Sequence, residues 1–152
     1  MALQDLWRQS DELHAALAPG YFRARGAAVA APGHEAGDPH AITMVAEGDG
    51  GARSRSEGTP LTGAVMVRIY DTPADPTMVP RRRAHVEALV VDRDHRRAGV
   101  GTALMSAVAA WARERGAVEM VLTVWAGNTA AEAFYQRLGY GLVSRALAKP
   151  IR

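Results

Sequence analysis

Two hydrophobic periods divide this chain. Near the N-terminus Leu3, Leu6, Leu13 and Leu17 recur at helical spacing, which predicts an amphipathic helix over about residues 3–18. Ala18-Pro19-Gly20 stops it, because proline and glycine both oppose helix continuation. "YFRARGAAVA" allows a second short helix, and "PGHEAGDP" reads as a loop. The spacing then changes. Residues 41–46 (AITMVA) and 61–70 (LTGAVMVRIY) are apolar and rich in β-branched side chains, as strands are. A glycine-rich connection (EGDGGARSRSEG) separates them, and a loop with three prolines follows at 71–83.

From His85 onward the pattern alternates between strand and helix. "HVEALVV" at 85–91 reads as a strand, followed by a glycine turn and a helix to about Arg115, with Gly116 as its C-terminal cap. "VEMVLTVW" at 118–125 is a second strand, leading to a helix over about 129–138 that Gly139 ends. A last strand is expected within 140–148. A strand–helix–strand crossover makes its two strands parallel, whereas strands joined by loops pair antiparallel. The expected fold is therefore an α/β arrangement of a mixed sheet and flanking helices. No repeat or linker interrupts it, and 152 residues suffice for one domain with a real core.

Composition narrows the chemistry. Cysteine is absent, which removes disulfides, thiolate metal sites and an acyl-cysteine intermediate. No run approaches the roughly 18 apolar residues of a membrane span, and "MALQDLWRQS" lacks the apolar core of a signal peptide. A cytoplasmic protein with no membrane partner is expected. Net charge is only +2, but residues 81–97 hold six arginines against Glu87, Asp92 and Asp94. Such a patch attracts anions, from a nucleotide to RNA, or is simply a solvated surface.

Within the patch, Arg96-Arg97-Ala98-Gly99-Val100-Gly101-Thr102 runs from strand into helix. The first turn of a helix leaves amide N–H groups unpartnered, and the helix dipole adds partial positive charge. Glycine lets an anion approach this backbone without meeting a Cβ. A Walker loop is excluded because its lysine is missing. A dinucleotide-binding fingerprint is excluded because Leu104 stands where its third glycine belongs. R-x-x-G-x-G on a strand-to-helix turn fits as written.

With these residues in view, "VEALVVDRDHRRAGVGTALM" resembles the central motif of the GNAT superfamily of acetyl-CoA-dependent N-acetyltransferases. "GNTAAEAFYQRLGY" at 127–140 resembles that superfamily's later motif, N-x-x-A-x-x-[LF]-Y-x-x-x-G-[FY]. The resemblance implies a mostly antiparallel sheet with one splayed parallel strand pair. It implies that amides from Arg97 to Thr102, with Arg96 beside them, bind the coenzyme A diphosphate. Backbone groups of Leu89, Val90 and Val91 would hold the pantetheine arm. Its first strand has no counterpart here, since helix-like sequence follows Met1 almost at once. A sheet edge left open in this way invites pairing with a second copy, and a homodimer is expected.

Acetyl transfer to an amine needs the neutral amine, so a base helps, as does an acid for the departing thiolate. Strict alternation puts His85, Glu87, Leu89 and Val91 on one face, where burial would raise the Glu87 pKa towards that of a useful base. The resemblance agrees on Glu87; the competing reading is a glutamate paired with Arg82 or Arg83. Tyr135, turned about 100° from core-facing Phe134, is the family's general acid by position, or else an edge residue of the core. Asn128 looks like an N-cap, yet Thr129 and Glu132 form a capping box that would free it for the coenzyme. Trp125 lines the acceptor pocket or packs in the core. His14, His34, His40 and His95 show no metal-ligand spacing, so surface positions and no metal are expected.

The acceptor implied is a primary amine of a small molecule or peptide, with transfer direct in a ternary complex. Its identity lies in loops that carry few acidic residues. Two rivals remain at this level. One is a sensor on the same fold that binds acyl-CoA without catalysis. The other, an RNA binder using the arginine patch, lacks an aromatic strand on which bases could stack.

Overall fold

A computed structural model of the chain describes residues 5–9, 38–48, 60–73 and 75–151. The expectations for residues 10–37 and 49–59 lie outside the described residues. Residues 5–9 are helical (α1). Four strands follow in the order β1 (Ala41–Glu47), β2 (Leu61–Asp71), β3 (Arg82–Val91) and β4 (Glu119–Leu122). Helix α2 (Val100–Glu114) lies between β3 and β4, and α3 (Thr129–Arg137) comes after β4. The sheet order is β1-β2-β3-β4. The first three strands pair antiparallel, and β3 pairs parallel with β4 across the α2 crossover. This is the mixed α/β sheet with flanking helices that the sequence predicts.

Strand β2 is buried on both faces, which is why six consecutive residues from Thr62 to Val67 are buried without alternation. One face packs under α2, where Val65, Val67, Ala84 and Val86 meet Leu104, Met105, Val108 and Trp111. The other face packs under α1, where Ala64, Met66 and Val90 meet Leu6 and Trp7. Full burial of each large apolar side chain stabilises the fold by about 1.5–3 kcal/mol. The sheet is thus a middle layer with a helix on each side.

Two boundaries depart from the sequence-based expectation. Strand β4 ends at Leu122 rather than Trp125, because its ladder to β3 runs only from Arg83↔Glu119 to Val86↔Leu122. No strand forms over 140–148. That segment has no regular structure and is exposed, with Leu142, Val143 and Leu147 from 72% to 97% exposed. Its apolar residues match strand propensity, but no neighbouring strand among the described residues supplies a ladder for them.

A register shift between Met66 and Val67 places Glu87 opposite no residue of β2, since Val67 pairs with Val86 and Met66 with Ala88. One extra residue in a strand reverses which side chains face which side. Accordingly Val86 and Leu89 both pack on the α2 side, while Ala88 and Val90 pack on the α1 side. The expected single face of His85, Glu87, Leu89 and Val91 is broken at this bulge.

Candidate active site

The β3–β4 ladder stops at Val86, one residue before the bulge, and the two strands part from there. A cleft of about 900 Å3 opens between them. Its walls are residues 86–91 of β3, residues 122–125 beyond β4, the turn from Arg96 to Thr102, and α3 from Asn128 to Tyr135. Beyond Val86 no strand among the described residues pairs with the β4-facing edge of β3, and the backbone of Leu89, Val90 and Val91 borders the cleft.

At the cleft's end the chain makes a 3-10 turn at Arg93–His95 and enters α2. Gly99 is the N-cap of α2 with φ +83°, a left-handed conformation that a β-carbon disfavours. No side chain caps this end, and the first helical bond runs from Ala103 N to Gly99 O at 2.9 Å. The amides preceding Ala103 in this turn therefore lack intrahelical acceptors and border the cleft. Gly101 serves closeness rather than conformation: a Cβ there would stand 3.2 Å from Phe134 Cζ, so a larger residue would press on the ring by which α3 seats against this turn. Arg97 also adopts positive φ (+64°), a strained state for a residue with a side chain. Strain of this kind at an open backbone turn is characteristic of ligand-binding loops.

Arg96 and Arg97 line the cleft, the first anchored by Nε donating to Val91 O at 3.1 Å. Among the described residues neither has an acidic partner. The triple arginine upstream behaves differently. Arg81 and Arg83 reach Glu119 (3.8 and 2.6 Å), and Arg82 reaches Asp71 (3.3 Å), all outside the cleft.

Glu87 lines the cleft from the bulge, but its surroundings are not the apolar face expected of it. The side chain is 30% exposed, and Oε1 accepts from Arg68 Nε at 3.3 Å. The partner comes from β2, not from Arg82 or Arg83. His85 is half-buried and meets Tyr70 edge to face, with ring centroids 6.5 Å apart. Tyr135 faces the cleft from α3, edge to face with Phe134 and Tyr140. Burial pushes its hydroxyl pKa up to about 12, with a smaller contribution from Tyr140.

Asn128 is corrected in role. It is the N-cap of α3, with Oδ1 accepting from Ala131 N at 3.2 Å, so the helix starts one residue before the expected capping box. Gly127, at φ +91°, turns the chain into this position. The capping bond engages Oδ1 and not the amide N–H groups, and Asn128 still borders the cleft. Trp125 also borders the cleft, half-buried.

The sequence reading missed a buried cluster beneath the turn. Asp92 is 4% exposed and accepts from Gln9 Nε2 at 3.1 Å, while its Oδ2 lies 2.6 Å from His95 Nδ1. Burial opposes ionisation of Asp92, but the bonds from Gln9 and His95 outweigh it and hold its carboxyl below the usual range. Gln9 Oε1 in turn accepts from Arg93 N at 3.3 Å, so α1 is tied to the turn from both ends of one amide. His95 is 48% exposed, a surface position as expected, and its ring is tied to Asp92 at the cleft's border. The i,i+3 spacing of Asp92 and His95 was the available signal. Among the described residues no group of three His, Asp or Glu side chains is disposed to hold a metal.

A strand pair thus opens onto helix-N-terminal amides without intrahelical acceptors, with two arginines beside them. Comparison with known proteins assigns the class. Residues 4–140 match the model of the acetyltransferase (GNAT) family, and the chain belongs to that family. Human N-acetyltransferase 8 is 34% identical over 68 residues, which cover 45% of this chain and 30% of that protein. The chain therefore spans less than a third of that relative. Among solved structures, a tetramutant of the BH1408 protein from Bacillus halodurans superposes with a TM-score of 0.81 at 21% identity, covering 98% of this chain and 92% of that one. A putative acetyl transferase from Pyrococcus furiosus gives 0.66 at 21% identity over 98% and 93%. The aminoglycoside N-acetyltransferase AAC(6')-Iy, solved in complex with CoA, gives 0.59 at 22% identity over 74% and 77%. These structures share the fold.

Proposed function

We propose that the chain is an N-acetyltransferase that moves acetyl from acetyl-CoA directly to a primary amine of a small molecule or peptide. The observation that carries this reading is the open turn at the start of α2, set at one end of the cleft where β3 and β4 part. Amides from Arg97 through Ala98, Gly99, Val100 and Gly101 to Thr102 would bind the diphosphate, with Arg96 and Arg97 supplying charge. The unpaired edge of β3 at Leu89–Val91 would bond the amides of the pantetheine arm, as an added strand does. Asn128 would reach the same arm through its amide N–H groups.

The thioester then lies near the bulge. The amine nitrogen attacks the acetyl carbonyl carbon, a C–N bond forms, and the C–S bond breaks. Glu87 takes the proton released from nitrogen, directly or through water. Tyr135 stays protonated and donates a hydrogen bond to the departing thiolate. With a pKa near 12 it is a weaker acid than a thiol of about 8.5, so stabilisation by hydrogen bonding outweighs completed proton transfer.

The outer edge of β1 has no neighbouring strand among the described residues, which suits pairing with a second copy into a homodimer; a monomer by light scattering at high concentration would exclude this. No described helix is long and apolar enough to cross a membrane. Placement in the cytoplasm remains part of the proposal.

Calorimetry with acetyl-CoA, followed by thiol release over a panel of amines, aminoglycosides and peptides, tests the reading. Heat on binding and thiol release with one acceptor class support it. Binding without release across the panel assigns the chain to acyl-CoA sensing, and no binding removes both. Glu87→Gln should lower kcat more at neutral than at high pH, where free amine is plentiful; a uniform loss across pH removes Glu87 as base.

A further inference from the structure

The strand expected within 140–148 is missing for want of a ladder, not for want of a pattern. Over residues 142–149 alternation would put Arg145 and Lys149 on one face. The other face, with Leu142, Ser144, Ala146 and Ala148, would carry no charge. No proline or glycine interrupts this stretch. Yet Leu142, Val143, Leu147 and Ile151 all stand largely in solvent. Singly exposed apolar residues are ordinary, but four of them within one short segment mark a surface that binds something.

A second unfilled place lies at the sheet edge opposite β1. Strand β4 is last in the order β1-β2-β3-β4, so no strand among the described residues lies along its outer edge. It is held by a ladder of four residue pairs to β3, and its continuation at 122–125 walls the cleft. Val118, just ahead of it, is also exposed. The chain's own segment starts beside β4, where the Tyr140 hydroxyl donates to Met120 Sδ at 3.7 Å. It then leads away, and by Leu147 the side chain is 97% exposed.

We infer that residues 142–149 of one copy add as a strand to the outer edge of β4 in a second copy, and that the exchange is reciprocal. A strand-prone segment without a ladder and a strand without an outer neighbour complement each other through main-chain hydrogen bonds. Both halves belong to the same chain, so the occupant of the edge is a second copy. A two-fold arrangement lets each copy give one segment and receive one, which closes both edges without building a filament. The added strand gives β4 a second ladder just before its continuation walls the cleft. This inference is independent of the acetyl-transfer reading, and it predicts a different dimer from pairing along β1.

Hydrogen exchange of the full chain at high and low concentration, read by mass spectrometry beside light scattering, tests it. The expected result is a dimer whose 142–149 amides are protected, and whose protection is lost as dilution yields the monomer. Val143→Asp combined with Leu147→Asp should raise the dimer Kd at least about 10-fold. Both side chains lie in solvent within one copy, so the unfolding temperature of the dilute monomer should not move. A dimer whose 142–149 amides exchange freely overturns the inference. So does a dimer lost in Val45→Lys on β1 but kept in the double variant. Protection that persists in a dilute monomer overturns it as well, by showing the segment docked on its own chain. A monomer at every concentration removes it outright.

Discussion

Strand β3 is two strands in function. From Arg82 to Val86 it is paired on both sides, and its arginines are consumed in ion pairs with Asp71 and Glu119. From Glu87 to Val91 it is paired on one side only, and the two arginines that follow at the cleft wall have no acidic partner among the described residues. Arginines stand within the first half and just beyond the second. What differs is the ladder: where β4 stays, charge ties strands together, and where β4 leaves, backbone and charge become available to a ligand. A basic patch is thus not one object. Half of this one is structural, and the other half borders the cleft without an acidic partner among the described residues.

The largest effect expected from breaking this division is Gly99→Val. A β-branched residue at φ +83° cannot hold the turn without strain, so the amides would lose their aim. Loss of that anion site should cost about 3 kcal/mol of binding, or on the order of 100-fold in Kd for acetyl-CoA by calorimetry. Unchanged affinity would mean that the turn is not the site. Tyr135→Phe comes next, on the opposite wall. The expected result is kcat lower by roughly 10- to 100-fold with KM for acetyl-CoA nearly unchanged. Because the Tyr135 pKa is raised to about 12, its protonated form persists well above pH 10, so wild-type turnover should show no tyrosine-dependent fall up to that pH. A fall near pH 9–10 that disappears in Tyr135→Phe would place the operative pKa lower.

Two arginine substitutions then test the comparison directly. Arg97→Ala should weaken acetyl-CoA about 5- to 10-fold, with a dependence on salt, and leave stability nearly unchanged because alanine keeps the Cβ that strains a positive φ. Arg83→Ala should do the reverse, lowering the unfolding temperature slightly through the lost Glu119 pair with coenzyme affinity intact. Equal effects of both on affinity would erase the distinction between the halves.

Much of this architecture was readable beforehand, because period and punctuation agree. Gly99, Gly116 and Gly139 adopt the positive φ values that their places at helix ends call for, and the α2 crossover makes β3 and β4 parallel. The turn from Arg96 to Thr102 was readable for the same reason, since its chemistry is local. The bulge was not. Nothing in "HVEALVV" distinguishes a regular strand from one with an extra residue, because the signal lies in the register with β2. That one shift moved Glu87 from an apolar face to an ion pair with Arg68. The capping of α3 failed on a similarly small scale: Asn128 and Thr129 can each cap, and the conformation of Gly127 selected Asn128. Strand propensity at 140–148 was real but had no ladder to join. Long-range partners, such as Gln9 with Asp92, are invisible in principle to local patterns.

The Asp92 cluster sets the smallest expected effect and the finest test, because it lies just past the open half of β3 and under the turn. Its carboxyl is held below the usual range in the folded chain, so it contributes stability that is fully present above the unfolded value of about 3.9 and is lost as pH falls through the folded value. Asp92→Asn should therefore cost about 1 kcal/mol at neutral pH, because an amide can still accept from Gln9 but offers His95 a neutral partner. As pH falls below the unfolded value and through the folded one, the wild type loses the same interaction, and the two unfolding curves should converge. Affinity for acetyl-CoA should drop only a few-fold, through a loosened Arg93–His95 turn, since the amides that face the anion are one turn further on. A gap in stability that persists once pH is below the folded value would show that shape, not charge, is what Asp92 contributes. A loss of affinity as large as that of Gly99→Val would show that the turn has no rigidity of its own and borrows it entirely from α1.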